Sequence, residues 1–373
     1  VSLHGGGRPI VPDYAGPNVR GLVPALVGPA PWSTGLPEWM PDDLRGAERA
    51  VLLILDGLGW DQFVERSELA PAMAAMNRRS IHTVAPTTTA TALCSIATGL
   101  TPGEHGLVGY RMMLAGKVLN VLRWTVDNQS MRRSHPPSEV QPFEPFLAEE
   151  VPVISPAELQ TSAFTEAHLR GSRPVGWRSP SSIAVEARAQ LDAGEKVVYA
   201  YYGGIDKIAH ERGFGPYYEA ELHWADALVA DIQSALPSGT ALLITADHGQ
   251  VEVGDRIVVP SDELLEPVTT QSGEGRFRWL HTAAANVESL ARLADDEVGD
   301  VAWVVTKQQM LDEQWFGPTV APPVQSRLGD VALVAREPVS FHDPDDSGPF
   351  ELVCRHGSLT SAEVNVPLLS VLV

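Results

Sequence analysis

A chain of 373 residues, 44% hydrophobic and 20% charged, has the composition of an ordinary globular protein and can bury a large core without crosslinks. Its 47 acidic and 27 basic residues give a formal charge of −20, which repels nucleic acid and anionic membranes. A small anionic substrate stays compatible, because bound metal ions reverse the sign locally.

Cys94 and Cys354 are too few for a disulfide framework. They read as reduced core thiols, with one bridge between them as the alternative. No stretch approaches the roughly 20 apolar residues of a membrane helix. The first eight residues lack the basic-then-apolar layout of a signal peptide, so the expected location is the cytoplasm.

Residues 1–48 are rich in Gly and Pro and read as an irregular arm laid over the surface. Residues 51–55 are all apolar and stop at Asp56-Gly57, the pattern of a strand buried on both faces. A helix over 60–79 and a short strand over 81–85 are expected next. Residues 89–98 are small and apolar, and Gly99 is a natural stop. The grammar returns with a strand over 196–202 ending in Gly203-Gly204, then a helix over 219–236 closed by Pro237 and Gly239. A buried strand over 240–246 then ends at Asp247-His248-Gly249. This alternation predicts an α/β fold, a three-layer α/β/α sandwich with a mostly parallel central sheet. The pattern weakens over 255–330, where 301–305 is a candidate strand and Pro318, Pro322 and Pro323 interrupt. That segment is expected to form a small inserted cap lobe, with 49–254 and 331–373 as the core.

In such sheets functional residues gather beyond the carboxyl ends of the strands. Here the apolar runs end at Asp56, at Asp206 just past the Gly pair, and at Asp247-His248. Asp206 and His210 share one face of a helical turn and make a ligand set for zinc or a similar ion, although the same spacing is common in surface pairs. Asp247 and His248 can both face one ion where a strand turns; the competing reading is a helix cap beside an exposed imidazole. Asp56 is costly to bury unpaired at a strand end, which a metal would relieve. A lone His356 carries little weight until it is seen as the third ligand beside Asp206 and His210. Thr-rich turns such as Pro86-Thr87-Thr88-Thr89 usually cap helices. A hydroxyl there, beside a dication, is also an activated nucleophile, with backbone N–H groups to hold a phosphate.

Together with Thr98-Gly99 and His105-Gly106, these blocks run in an order that resembles the alkaline phosphatase superfamily, and within it the nucleotide pyrophosphatase/phosphodiesterase group. The resemblance spans residues 51–357. It implies two zinc ions, with manganese or another divalent ion as the alternative. One would be held by Asp56, Asp247, His248 and the nucleophile Thr89, the other by Asp206, His210 and His356. The family sets its nucleophile nine residues before the Thr of the Thr-Gly pair, which gives Thr89, with Thr88 as the fallback. Diesterases of the group usually carry an Asn shortly after the His-Gly pair; here Tyr110 and Arg111 stand there and are the candidate substrate ligands. Cys94 lies outside the Cys-x-Pro-x-Arg context of cysteine-modifying sulfatases.

The implied activity is two-metal phosphoryl-ester hydrolysis through a phospho-threonine, as a phosphodiesterase or nucleotide pyrophosphatase. A phosphomonoesterase or phosphonate hydrolase on the same core is the alternative, and a non-catalytic binding protein a further one. The expected substrate is a small phosphate ester or nucleotide, with neither a nucleic acid polymer nor a membrane as partner. Tyr110, Trp124, Tyr201, Tyr202, Tyr217 and Tyr218, with Trp279, His281, Trp315 and Phe316 in the cap, are candidates to stack an organic group or simply to pack.

Overall fold

The computed structural model describes residues 7–27, 32, 36–346 and 352–373. The first six residues of the stretch read for a signal peptide, parts of the expected arm and Glu351 lie outside these residues.

The central sheet has seven strands in the order Asn77–His82, Asn365–Leu372, Thr240–Thr245, Arg49–Leu55, Val197–Tyr202, Pro152–Pro156 and Arg173–Trp177. Only Asn365–Leu372 runs against its neighbours, so the sheet is mostly parallel, as expected. Helices cover it, among them Thr89–Thr98, Ser182–Asp192 and the long Pro216–Ala235. Arg49–Leu55 lies between Val197–Tyr202 and Thr240–Thr245, with Ile54 beside both Tyr201 and Thr245. That shared register brings Asp56, the Gly203-Gly204 turn and Asp247 out at one edge.

The expected helix over 60–79 is instead broken. Trp60–Glu65 and Pro71–Ala74 are short helices with a turn at Ser67–Leu69 between them, and Asn77–His82 is a strand. Pro71 lacks an N–H and its ring clashes with a preceding helical turn, so the chain restarts there. The expected strand over 81–85 correspondingly begins earlier, at Asn77, and ends at His82. The arm is less irregular than its composition suggests. Val19–Gly21 and Leu22–Val27 are helical, and Val19, Leu22, Val23 and Leu26 join the main core. Thr89–Thr98 ends at Gly99, whose φ of 75° suits a residue without Cβ.

A second, antiparallel sheet has the order Val268–Glu274, Phe277–Thr282, Val331–Ala335 and Ala302–Thr306. Helix Val287–Val298 packs on it through Leu290, Ala294 and Val298 around a separate apolar cluster. Cys94 and Cys354 are both free and buried. Among the described residues no helix is long and apolar enough to cross a membrane.

Candidate active site

Asp56 follows its strand directly and accepts a hydrogen bond from the Tyr201 hydroxyl through Oδ2. Its Oδ1 is buried with no hydrogen-bond partner. Asp247 accepts from the Gly57 and His248 amides through Oδ1, both at 3.1 Å, while its Oδ2 is likewise buried and unpartnered. Gly57 has φ +76°, and a Cβ there would lie 2.9 Å from the Asp206 backbone, so glycine lets these two strand ends meet. Helix Gly204–Arg212 puts Asp206 in its first turn and His210 one turn on, with Nε2 3.2 Å from Asp206 Oδ1.

All three histidines use Nδ1 the same way. His210 Nδ1 donates to the Cys354 carbonyl at 2.7 Å, His356 Nδ1 to Thr87 at 2.8 Å and His248 Nδ1 to Gly249 at 3.1 Å. A carbonyl only accepts, so each Nδ1 carries a proton and Nε2 is the atom each ring turns toward the aspartates; burial alone would lower the His210 imidazole, but Asp206 outweighs it and raises it. The His248 and His356 rings stack with centroids 3.7 Å apart, and His210 and His356 lie at 5.2 Å. His248 Nε2 is 3.5 Å from both Asp56 Oδ1 and Asp247 Oδ2, and 3.1 Å from Thr89 Oγ1.

Two ligand clusters result: Asp206, His210 and His356, and Asp56, Asp206 and His248, each with its donor atoms within 4.8 Å of one another. Asp206 belongs to both, which the spacing alone did not foretell. Burial, and then the charges of Asp247 and Asp206, push the Asp56 carboxyl well above its usual range. Burial also raises Asp247. Burial acts the same way on Asp206, but His210, His248 and His356 outweigh it and hold that carboxyl low. Burial, and the two neighbouring imidazoles, push His356 well below its usual range. Orphaned carboxylate oxygens beside imidazole nitrogens are a donor set that suits divalent cations.

Thr89 opens helix Thr89–Thr98, and the Thr91 amide already donates to the Thr88 carbonyl at 3.0 Å, which leaves the Thr89 and Ala90 amides as the first-turn donors for a ligand. Thr87 is committed to the scaffold: its hydroxyl donates to the Ser358 carbonyl at 2.8 Å and accepts from the Gly357 amide at 3.0 Å. Two cavities meet at Thr89. One, of about 320 Å³, is lined by Thr88, Tyr110, Asp206, His210, Glu274 and Arg355 among others. The second, about 200 Å³, is mostly apolar, with Leu93, Leu122, Phe164, His168, Tyr199 and Tyr201 in its wall.

Tyr110 lines the polar cavity and accepts from Asn120 Nδ2 at 2.7 Å. Arg111 is buried instead in ion pairs with Asp343 and, at 3.9 Å, with Asp346. Of the other aromatic candidates, Tyr201 lies in the apolar cavity, Tyr202 bonds Glu221, and Tyr217 is exposed. Trp124, Tyr218, Trp279, Trp315 and Phe316 are core, and His281 is held by Ser272 Oγ at 2.8 Å. His105 is structural: Nε2 donates to Ser95 Oγ at 2.8 Å and Nδ1 accepts from the Leu107 amide at 3.1 Å. Sequence reasoning missed Glu274, Arg355, Asp346 and Gln250, whose Nε2 donates to Asp206 Oδ1 at 2.8 Å. Their own spacing carried no signal, because their partners are distant in the chain.

The fold and this cluster at its strand ends define a member of the alkaline phosphatase superfamily. Residues 50–359 match the type I phosphodiesterase/nucleotide pyrophosphatase family, and the chain belongs to it. Murine ectonucleotide pyrophosphatase/phosphodiesterase 5, solved as an inactive variant in complex with AMP, is similar with a TM-score of 0.63 and 15% identity, over 86% of this chain and 87% of its own. The human form gives 0.63 and 16% over the same shares. Phosphonoacetate hydrolase from Sinorhizobium meliloti 1021, solved with phosphonoformate, gives 0.60 and 17% over 87% and 90%. At these identities the likeness is one of fold. No curated protein matches the sequence.

Proposed function

We propose that this chain is a divalent-metal phosphodiesterase of the nucleotide pyrophosphatase type, with Thr89 as its nucleophile. The carrying observation is the convergence of three imidazole Nε2 atoms on Asp56, Asp206 and Asp247, with His248 Nε2 3.1 Å from Thr89 Oγ1. Asp56, Asp247, His248 and Thr89 would hold one ion, and Asp206, His210 and His356 the other, zinc being favoured by the imidazole-rich set. Such a pair lowers the proton affinity of a bound hydroxyl and offsets charge on phosphoryl oxygens.

The chain's own residues do the rest. The first turn of helix Thr89–Thr98 presents N–H groups to a phosphoryl group. Thr89 Oγ attacks phosphorus, the ester oxygen departs, and water releases the phospho-threonine in a second displacement. Each imidazole is tied to a backbone carbonyl, so the donor atoms are set before substrate arrives.

Two cavities meeting at one hydroxyl favour a diester, which has an organic group on each side of phosphorus. A nucleotide is a substrate of this form, and the smaller sheet, whose hairpin enters the polar cavity, would set specificity. The free buried thiols suit a reducing compartment such as the cytoplasm. A second reading, a phosphonate or phosphomonoester hydrolase, is favoured by Arg355, whose Nε is buried without a partner at the polar cavity and would pair a further anionic group.

The test is metal content per chain together with rates on bis-nitrophenyl phosphate and nitrophenyl phosphate. Two ions and a faster diester are expected. A faster monoester would move the substrate class to the second reading. Two bound ions without turnover on either ester would overturn the activity.

A further inference from the structure

Gln250 stands two residues after His248 and immediately before strand Val251–Glu252. Its backbone is fixed on both sides. The Gly249 amide donates to the Glu363 carbonyl at 3.0 Å, and Val251 pairs with Arg355, the neighbour of His356. The side chain is fully buried, and its Nε2 donates to Asp206 Oδ1 at 2.8 Å. A second buried glutamine, Gln62, braces the same point. Its Nε2 donates to the Gln250 carbonyl at 2.6 Å and to the Ala362 carbonyl at 3.3 Å.

An amide is a costly way to fill this space. Gln250 Oε1 is buried with no hydrogen-bond partner, and an apolar side chain of similar size would avoid that penalty. What the amide supplies is one donor aimed at Asp206. The opposite orientation would set its oxygen against a carboxylate oxygen, so the N–H end faces Asp206. The fit is close: a Cβ at Gly57 would lie 2.6 Å from Gln250 Nε2.

Among the described residues Asp206 alone belongs to both ligand clusters. It comes from helix Gly204–Arg212, whereas Asp56 and His248 follow strands of the central sheet. Its backbone amide is tied to the Asp56 carbonyl at 3.1 Å, and Gln250 fixes the carboxylate as well. We propose that Gln250 is a positioning residue that holds the Asp206 carboxylate between the two clusters, so that the affinity of both metal ions depends on it. This deepens the two-metal reading and rests on it. Gln250 is no ligand in this arrangement; it acts through Asp206.

The experiment is stepwise removal of zinc from the zinc-loaded protein by a chelator, with the released metal read by a chromogenic indicator. The proteins are the wild type, Gln250→Met, His356→Ala and the double variant. Methionine fills the space of glutamine without a donor. Gln250→Met should hold both ions about ten- to a hundredfold more weakly than the wild type. His356→Ala keeps one ion, and adding Gln250→Met should weaken that ion by about tenfold. His105→Asn, which is destabilised away from the ligands, should release zinc as the wild type does. Zinc release from His105→Asn matching that from Gln250→Met overturns the proposal, because metal loss would then follow from lost stability alone. Unchanged release from Gln250→Met overturns it too, as does a loss confined to one ion. If Gln250→Met does not fold, Gln250→Asn, whose amide is one methylene short of Asp206, is held to the same expectations. A wild type that holds no zinc sinks both this proposal and the two-metal reading, whereas two ions in the wild type with indifferent variants sink only this one.

Discussion

Arg276 and Glu363 form a two-pronged ion pair in which neither side chain is exposed to solvent. Glu363 also accepts from the Ser358 amide at 3.0 Å and from the Thr360 hydroxyl at 2.6 Å. The pair therefore ties the hairpin of the smaller sheet to the segment just after His356. Cutting one partner leaves the other charge buried and alone. Glu363→Ala should lower stability by about 3–5 kcal/mol, read from urea unfolding at equal metal loading. A loss under about 1 kcal/mol would mean the pair is not holding the two sheets together.

Thr89→Ala should abolish turnover and leave the melting curve and metal-loaded fold in place. Thr89 Oγ1 lies 3.1 Å from His248 Nε2, whereas Thr88 is the residue before the helix and its hydroxyl faces Glu274. Thr88→Ala should therefore retain measurable hydrolysis. Near wild-type rates in Thr89→Ala with an inactive Thr88→Ala would reverse the assignment.

His356→Ala should bind about one metal ion fewer per chain than the wild type, measured by elemental analysis after dialysis against a metal buffer. His356 shares one cluster with Asp206 and His210 and stacks on His248. Unchanged metal content would remove it from the ligand set.

His105 makes a separate contribution to pH dependence. Burial, with Arg327 nearby, lowers its pKa to about 3. Below about 6.5 the unfolded chain binds a proton there that the native protein refuses until near 3, so the native state loses stability as pH falls through that window. His105→Asn should be less stable at pH 7, but its further loss between pH 7 and pH 5 should be smaller by about 2 kcal/mol. Parallel losses in both proteins would show that His105 is protonated when folded.

The proposed ligands Asp56, Asp247 and His248 were legible because they follow runs of buried apolar residues, and parallel register then brings such ends together. Asp56 and Asp247 stand beside each other for that reason. The sharing of Asp206 between clusters was not legible, since it depends on how helix Gly204–Arg212 leaves its strand. The expected helix over 60–79 failed where apolar residues on either side of Pro71 suggested a continuity the imino ring forbids. The smaller sheet was hardest to read. Its strands bury Ser272, Glu274, Arg278 and His281, which look like surface residues in isolation. Arg278, and Arg276 at the hairpin, are paired there by Asp343, Asp346 and Glu363, many residues away.

The three imidazoles are oriented by the carbonyls of Thr87, Gly249 and Cys354, groups that every residue type carries. Replacing the Cys354 side chain with another that fits its space leaves the acceptor for His210 untouched. A substitution scan at that position would look permissive although one of its atoms is indispensable. The aim of these rings is inherited through the path of the backbone, and only a change that bends that path would disturb it.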